Sequence, residues 1–323
     1  MSNLETEPAE LVCAEGPAAE IQVLEPREVP LGGPRAMTVR RTLPQRERSL
    51  IGAWCFVDHY GPDDVAETGG MTVPPHPHTG LQTVSWLFEG EVEHRDSSGA
   101  HAMVRPSEVN LMTAGSGIQH SEVSTPATTR LHGAQLWIAL PDRARHTRPF
   151  FEHAAPEPVT VGAATLRVFV GELAGSTSPV RTFTALVGAQ LDLPAGSSVD
   201  LPVDERFEHG LLADAGTAHL DGVEIVRAHL GYAAAGRPSV RIEAGDAPLR
   251  ALLLGGEPLG EPIVMWWNFI GRDHDEIVAF REQWQAEVID GGSPDGRFGT
   301  VEGWPGPALP APVMPDVRLR PRD

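Results

Sequence analysis

The sequence predicts an all-β chain: two antiparallel β-barrels with a C-terminal helix. Three observations carry that expectation. Glycine and proline, 34 and 30 of 323 residues, make up about a fifth of the chain, against a usual ~12%, and both residues break helices and favour turns. Short runs of strand-like alternation recur every ~8–12 residues between Gly, Pro, Asp and Ser signals, the pattern of sandwiches and barrels. Helical spacing is confined to one late segment, where Ile277, Phe280, Trp284 and Val288 follow a helical period.

The elements follow in order. Residues 1–25 form an acidic, flexible N-terminal segment, its first twenty residues glutamate- and alanine-rich. Residues 26–145 form the N-terminal barrel, with alternation from Met37 and runs at Thr83–Phe88, Ala102–Arg105, Val109–Thr113 and Leu131–Ala139. The polar, proline-containing stretch Arg145–Pro158 is expected to be a linker. Residues 146–290 form the C-terminal barrel. Its runs are Leu166–Val170, Thr182–Val187, Gly210–Ala213, Thr217–Leu220 and Arg250–Leu254, with a Pro194-Ala195-Gly196 turn inside Leu191–Leu201. The helix is expected over about Asp275–Val288, and residues 291–323 read as an extended Pro/Gly-rich tail.

Composition excludes several chemistries. All 25 basic residues are arginine, so a phosphate-loop lysine, a Schiff-base lysine and a lysine general base are ruled out. The net charge of −19 argues against direct nucleic-acid binding, because phosphate would be repelled. Cys13 and Cys55 alone make no disulfide framework, there is no basic, apolar leader, and no uninterrupted apolar run suggests a membrane span. The expected compartment is the cytoplasm.

Two short motifs carry chemistry. Pro75-His76-Pro77-His78-Thr79-Gly80 places two histidines at i and i+2, which share a face in an extended strand. Gly115-Ser116-Gly117-Ile118-Gln119-His120-Ser121-Glu122 does the same for a histidine and a carboxylate. Either motif alone arises readily by chance. Together they can supply three imidazoles and one carboxylate, a set suited to Fe(II), Mn(II), Ni(II) or Co(II) with two open octahedral positions. His94 and His101, flanking the Asp96–Gly99 turn, are expected to be exposed, and His59 to be a satisfied histidine or a neighbour of the site. Arg40-Arg41 and the arginines at 143, 145 and 148 read as solvated faces, and Trp266-Trp267 as packing against the helix.

These motifs resemble those of the cupins, and within them the pirin family. The cupin pattern begins with Gly, five residues, then His-x-His, as Gly70 stands to His76. The pirin-like parts are His76-Pro77-His78-Thr79-Gly80, Thr113-Ala114-Gly115-Ser116-Gly117-Ile118-Gln119-His120-Ser121-Glu122, Leu131–Trp137 and Pro262–Asn268, so the likeness spans about residues 30–290. Departures are Gln82 at the usual cupin glutamate, Gly115 for a proline, and Thr79 where many pirins have arginine, a change expected at the pocket mouth.

The resemblance implies a bicupin with His76, His78, His120 and Glu122 as metal ligands. Fe(II) is the favoured ion, with Mn, Ni, Co or Cu admitted. It implies quercetin 2,3-dioxygenase-type cleavage of a flavonol, with Glu122 also a candidate general base for the 3-hydroxyl proton. The alternative it implies is a non-catalytic, iron-dependent regulator that senses redox state and modulates a protein partner, which the −19 charge would bias towards basic proteins. Superposing Gly216 on Gly90 puts Pro202 and Asp204 where His76 and His78 stand, so the second barrel is expected to be metal-free.

Overall fold

The computed structural model describes residues 21–31, 37–293 and 295–322. Among them, 25 strands are joined mostly by tight turns, and one helix lies near the C-terminus. The N-terminal domain pairs a seven-stranded antiparallel sheet with a four-stranded one. The four-stranded sheet runs Thr72–His78, Ile118–Ser124, Val92–Asp96, His101–Val104 in spatial order. Val29, Met37, Val39, Tyr60, Val73, Val92 and Val104 fill the space between the two sheets.

The C-terminal domain repeats this plan with an eight-stranded and a four-stranded sheet. Its interior is an apolar core that includes Leu191, Leu211, Leu253, Val240 and Ile242. Pro202 is exposed, and Asp204 pairs at the surface with Arg206. The sheets of both domains are open and stacked in pairs; the strand ladders do not close into the two barrels expected from the sequence.

The two large sheets pack back to back. Trp54, Trp86, Leu136 and Ile138 of the first domain meet Phe169, Leu186, Leu212, Leu252 and Leu254 of the second in one buried cluster. Both tryptophans also satisfy their indole N–H across the junction: Trp54 donates to the carbonyls of Val187 and Gly255, and Trp86 to Gln190. A shared apolar core of this kind holds the halves as one packed body.

Three segments depart from the sequence reading, whereas the late helix follows it. Gln22–Leu24 is a strand on the edge of the C-terminal domain's sheet, against Leu230–Tyr232; the rest of the acidic segment, residues 1–20, lies outside the described residues. Phe150–Ala154, inside the expected linker, pairs with Val109–Thr113, because Phe150 and Phe151 offer apolar rings beside an open sheet edge. The expected strand at 182–187 begins only at Leu186. The helix runs His274–Trp284, capped by the Asp273 side chain, and continues as a π-turn to Ile289.

The proline-rich C-terminal segment is not a free tail. Leu309 N–H donates to the Pro75 carbonyl at 2.8 Å, Gln119 Nε2 donates to the Gly299 carbonyl, and Arg297 donates to Ser116 at 2.7 Å. It therefore straps the outer face of the four-stranded sheet. There, a cavity of about 360 Å³ lies between Pro75, Gln119, Trp304 and Pro307. By strand alternation this face is opposite the one that carries His76 and His120.

Candidate metal centre

Strand pairing assembles the centre. Ile118–Ser124 lies antiparallel to Thr72–His78 with His120 opposite His76, so both motifs aim their histidines between the sheets. The register shifts between His120 and Glu122, an irregularity that changes the aim of the carboxylate relative to the imidazoles. Two glycines make the turns possible. Gly80 and Gly115 have φ of +69° and +52°, and a Cβ would lie 2.4 Å from the Ile270 carbonyl oxygen or 2.0 Å from that of Thr147.

His76, His78 and His120 are fully buried, with one ring nitrogen of each within 4.8 Å of the others. His78 Nε2 lies 3.1 Å from His120 Nε2. His76 Nδ1 donates to the Pro74 carbonyl at 2.9 Å, which fixes its tautomer and leaves Nε2 a lone pair, buried without a hydrogen-bond partner among the described residues. Burial pushes His76 down to about 3 and His78 and His120 well below the ordinary imidazole range, with neighbouring imidazoles adding to the effect for the latter two. All three are therefore neutral near pH 7, the form that ligates metals. An orphaned lone pair beside two more converging imidazoles suits a borderline transition-metal ion.

Glu122 belongs to a second, overlapping group with His120 and His94. Ser85 Oγ lies 3.3 Å from Glu122 Oε1 and 2.9 Å from Gln135 Oε1. Burial and the charges of Glu122 and Asp58 push the Tyr60 phenol well above its ordinary value, so it stays protonated. Trp137 meets His78 edge-on at 5.1 Å and stacks on Phe56 at 4.0 Å, forming an apolar wall.

Several residues were placed differently by the sequence. His94 is buried, not exposed, and stacks on Phe151 at 4.8 Å, whereas His101 is exposed and paired with Glu93. Arg41 is also buried rather than solvated, in a two-pronged pair with Asp58 at 2.7 and 2.8 Å. Gln82 bonds Thr113 and the Arg181 carbonyl. Thr79 is buried where its backbone bridges to Phe269. Ser85 and Tyr60 were not singled out by the sequence reading, and Gln135 entered it only as part of the pirin-like run Leu131–Trp137.

A further group, His59, His132 and Asp214, lies buried between the domains. His59 is thus a satisfied core histidine, away from the first cluster.

Family comparison places this geometry. Residues 36–138 match the Pirin family model and residues 188–290 match that of the Pirin C-terminal cupin domain. The chain belongs to the pirin family. The Pseudomonas aeruginosa protein PA1205, whose name assigns it quercetin 2,3-dioxygenase activity provisionally, is 41% identical over 304 residues, 94% of this chain and 93% of the relative. A pirin-like protein of Caulobacter vibrioides is 37% identical over 77% of this chain and 88% of its own length. A crystal structure described as quercetin 2,3-dioxygenase from Acinetobacter baumannii superposes with a TM-score of 0.86 at 40% identity, covering 93% of this chain and 97% of that one. The nickel(II) complex of the Escherichia coli pirin YhhW shares the fold, with a TM-score of 0.57 at 20% identity over 74% of this chain and all of that one.

Proposed function

We propose that this pirin binds one divalent transition metal through His76, His78, His120 and Glu122 and cleaves a flavonol such as quercetin with dioxygen. The observation that carries the reading is the trio of buried, neutral imidazoles with a carboxylate beside them. Identity of 41% to a relative with a dioxygenase name supports the substrate class. Iron is the favoured ion, and the donor set also admits nickel, manganese, cobalt or copper.

When bound, the metal supplies the Lewis-acid and redox chemistry that a flavonol and dioxygen need in order to react. The chain's own groups manage protons and solvent. Glu122 accepts the proton of the substrate 3-hydroxyl. Ser85, 3.3 Å from Oε1, steadies that carboxylate, and Tyr60 remains a proton donor nearby. Trp137 and Phe56 keep water from the His78 side. Ring cleavage releases carbon monoxide.

The test is oxygen uptake with quercetin after loading with each candidate metal in turn. Uptake matched by carbon monoxide release is expected with at least one. No uptake with any metal would defeat the enzymatic reading. The second reading is a cytoplasmic regulator whose metal state alters affinity for a protein partner. That reading expects metal binding without oxygen uptake.

A further inference from the structure

His120 turns only one ring nitrogen towards the cluster. Its Nδ1 points away, 3.3 Å from Nδ1 of His94. His94 Nε2 in turn lies 3.1 Å from Asp96 Oδ2. The other carboxylate oxygen, Oδ1, accepts from Ser98 N–H at 2.8 Å, Ser98 Oγ at 2.7 Å and Ala100 N–H at 3.1 Å. Register holds the chain in line, since Asp96 lies opposite His120, and His94 opposite Glu122, on adjacent strands.

With His94 in its neutral form, hydrogen-bond polarity along this chain has a single solution. An ionised carboxylate only accepts, so His94 Nε2 carries the hydrogen. A neutral imidazole has one donor and one acceptor, so His94 Nδ1 accepts. It therefore accepts from His120 Nδ1–H, and His120 Nε2 is left as a lone pair facing His78. The Pro74 carbonyl imposes the same outcome on His76 directly. We propose that Asp96 and His94 are positioning residues that set the His120 tautomer, presenting its Nε2 lone pair to the metal. The proposal rests on the metal-site reading above, and it extends the site to two residues of a strand outside both motifs.

The three donors on Oδ1 make the proposal testable. In Asp96→Asn they retain the carbonyl oxygen, so the amide NH₂ faces His94 Nε2. Each ring then reverses: His94 Nδ1 donates, His120 Nδ1 accepts, and a hydrogen sits on His120 Nε2. His94→Phe keeps the stack on Phe151 but removes the acceptor. His94→Asn restores an acceptor at the Nδ1 position.

Two readouts on the full-length, metal-free protein decide the matter. Long-range ¹H–¹⁵N NMR of the histidine rings should show His120 as the Nδ1–H tautomer in the wild type and Nε2–H in Asp96→Asn. Calorimetric titration with Co(II) should show ~10–100-fold weaker binding for Asp96→Asn and His94→Phe, the usual effect of losing a ligand's outer partner. His94→Asn should stay close to wild type. Equal Co(II) affinity in all variants, or an Nε2–H His120 in the wild type, would overturn the proposal. If the wild type bound no Co(II), the metal-site reading would fail, while the NMR would still judge the tautomer chain. Should Asp96→Asn fail to fold, the His94→Phe and His94→Asn pair decides the question alone.

Discussion

Asp214 Oδ1 accepts from Nε2 of His59 at 2.6 Å across the interface between the two domains. The same oxygen takes His132 Nε2 at 2.5 Å, and Oδ2 takes Arg250 Nε at 2.5 Å. Arg40 Nε donates to His59 Nδ1 at 3.4 Å, and Arg250 Nη2 to His132 Nδ1 at 3.5 Å. Those donors fix both imidazoles with hydrogen on Nε2, and both hydrogens are used on Asp214. Although three ligand-type groups meet here, both imidazole lone pairs are taken by arginine donors, in contrast to the His76 cluster. The group is a hydrogen-bonded junction centred on one buried carboxylate.

Removing that carboxylate strands its donors. Asp214→Ala should destabilise the protein by about 3–5 kcal/mol, the usual result of breaking a buried charge pair from one side. Urea unfolding at pH 7.5 measures it. A loss below 1 kcal/mol would mean the junction contributes little.

The junction also makes stability depend on pH. Burial lowers His59 from 6.5 to about 4. The unfolded chain then binds the proton more readily, so this contribution is complete above about 6.5 and is lost as pH falls towards 4, by about 3 kcal/mol in all. Burial raises Asp214, but its bonds to His132 and His59 outweigh that and hold it below the carboxylate range, so its contribution persists until pH falls below about 4. Urea midpoints at pH 7.5, 6 and 5 should fall more steeply for the wild type than for His59→Phe. Parallel slopes would contradict this.

Ligand and base roles separate by substitution. His120→Ala should abolish tight metal binding. Glu122→Ala should retain metal yet lose turnover ~10²–10⁴-fold, the typical range for a lost general base. Metal content and oxygen uptake, measured on the same samples, distinguish the two. Equal metal loss in both variants would make Glu122 a ligand only.

Gly80 ties the His78 strand to the segment before the helix. Gly80→Ala forces a Cβ against the Ile270 carbonyl oxygen at positive φ. Backbone strain of ~1–3 kcal/mol should lower thermal stability and weaken metal binding with it. An unchanged melting temperature would show that the loop yields freely.

What the sequence made legible was local. The pairs His76/His78 and His120/Glu122 share strand faces by alternation, which needs no knowledge of the partner strand. His94 and Asp96 have the same spacing, but they lie in Glu91-Val92-Glu93-His94-Arg95-Asp96, a run that reads as solvent-facing. Only the sheet stacked over them buries them. Arg41 misled similarly, because its partner Asp58 lies on another strand. The Gln22–Leu24 strand and the Asp214 junction depend on how two domains pack, information spread over residues far apart in the chain. The duplicated sheet plan was visible as two series of strand runs, whereas the openness of the sheets depends on ladder pairing that alternation does not encode.

The central claim is that the buried histidine cluster holds one transition-metal ion. Its most direct test is metal content per chain, measured after saturation with Fe(II) or Ni(II) and removal of excess, for the wild type and for His76→Ala/His78→Ala. One equivalent in the wild type and none in the double variant is the predicted result. No bound metal in the wild type, or an undiminished equivalent in the variant, would contradict it.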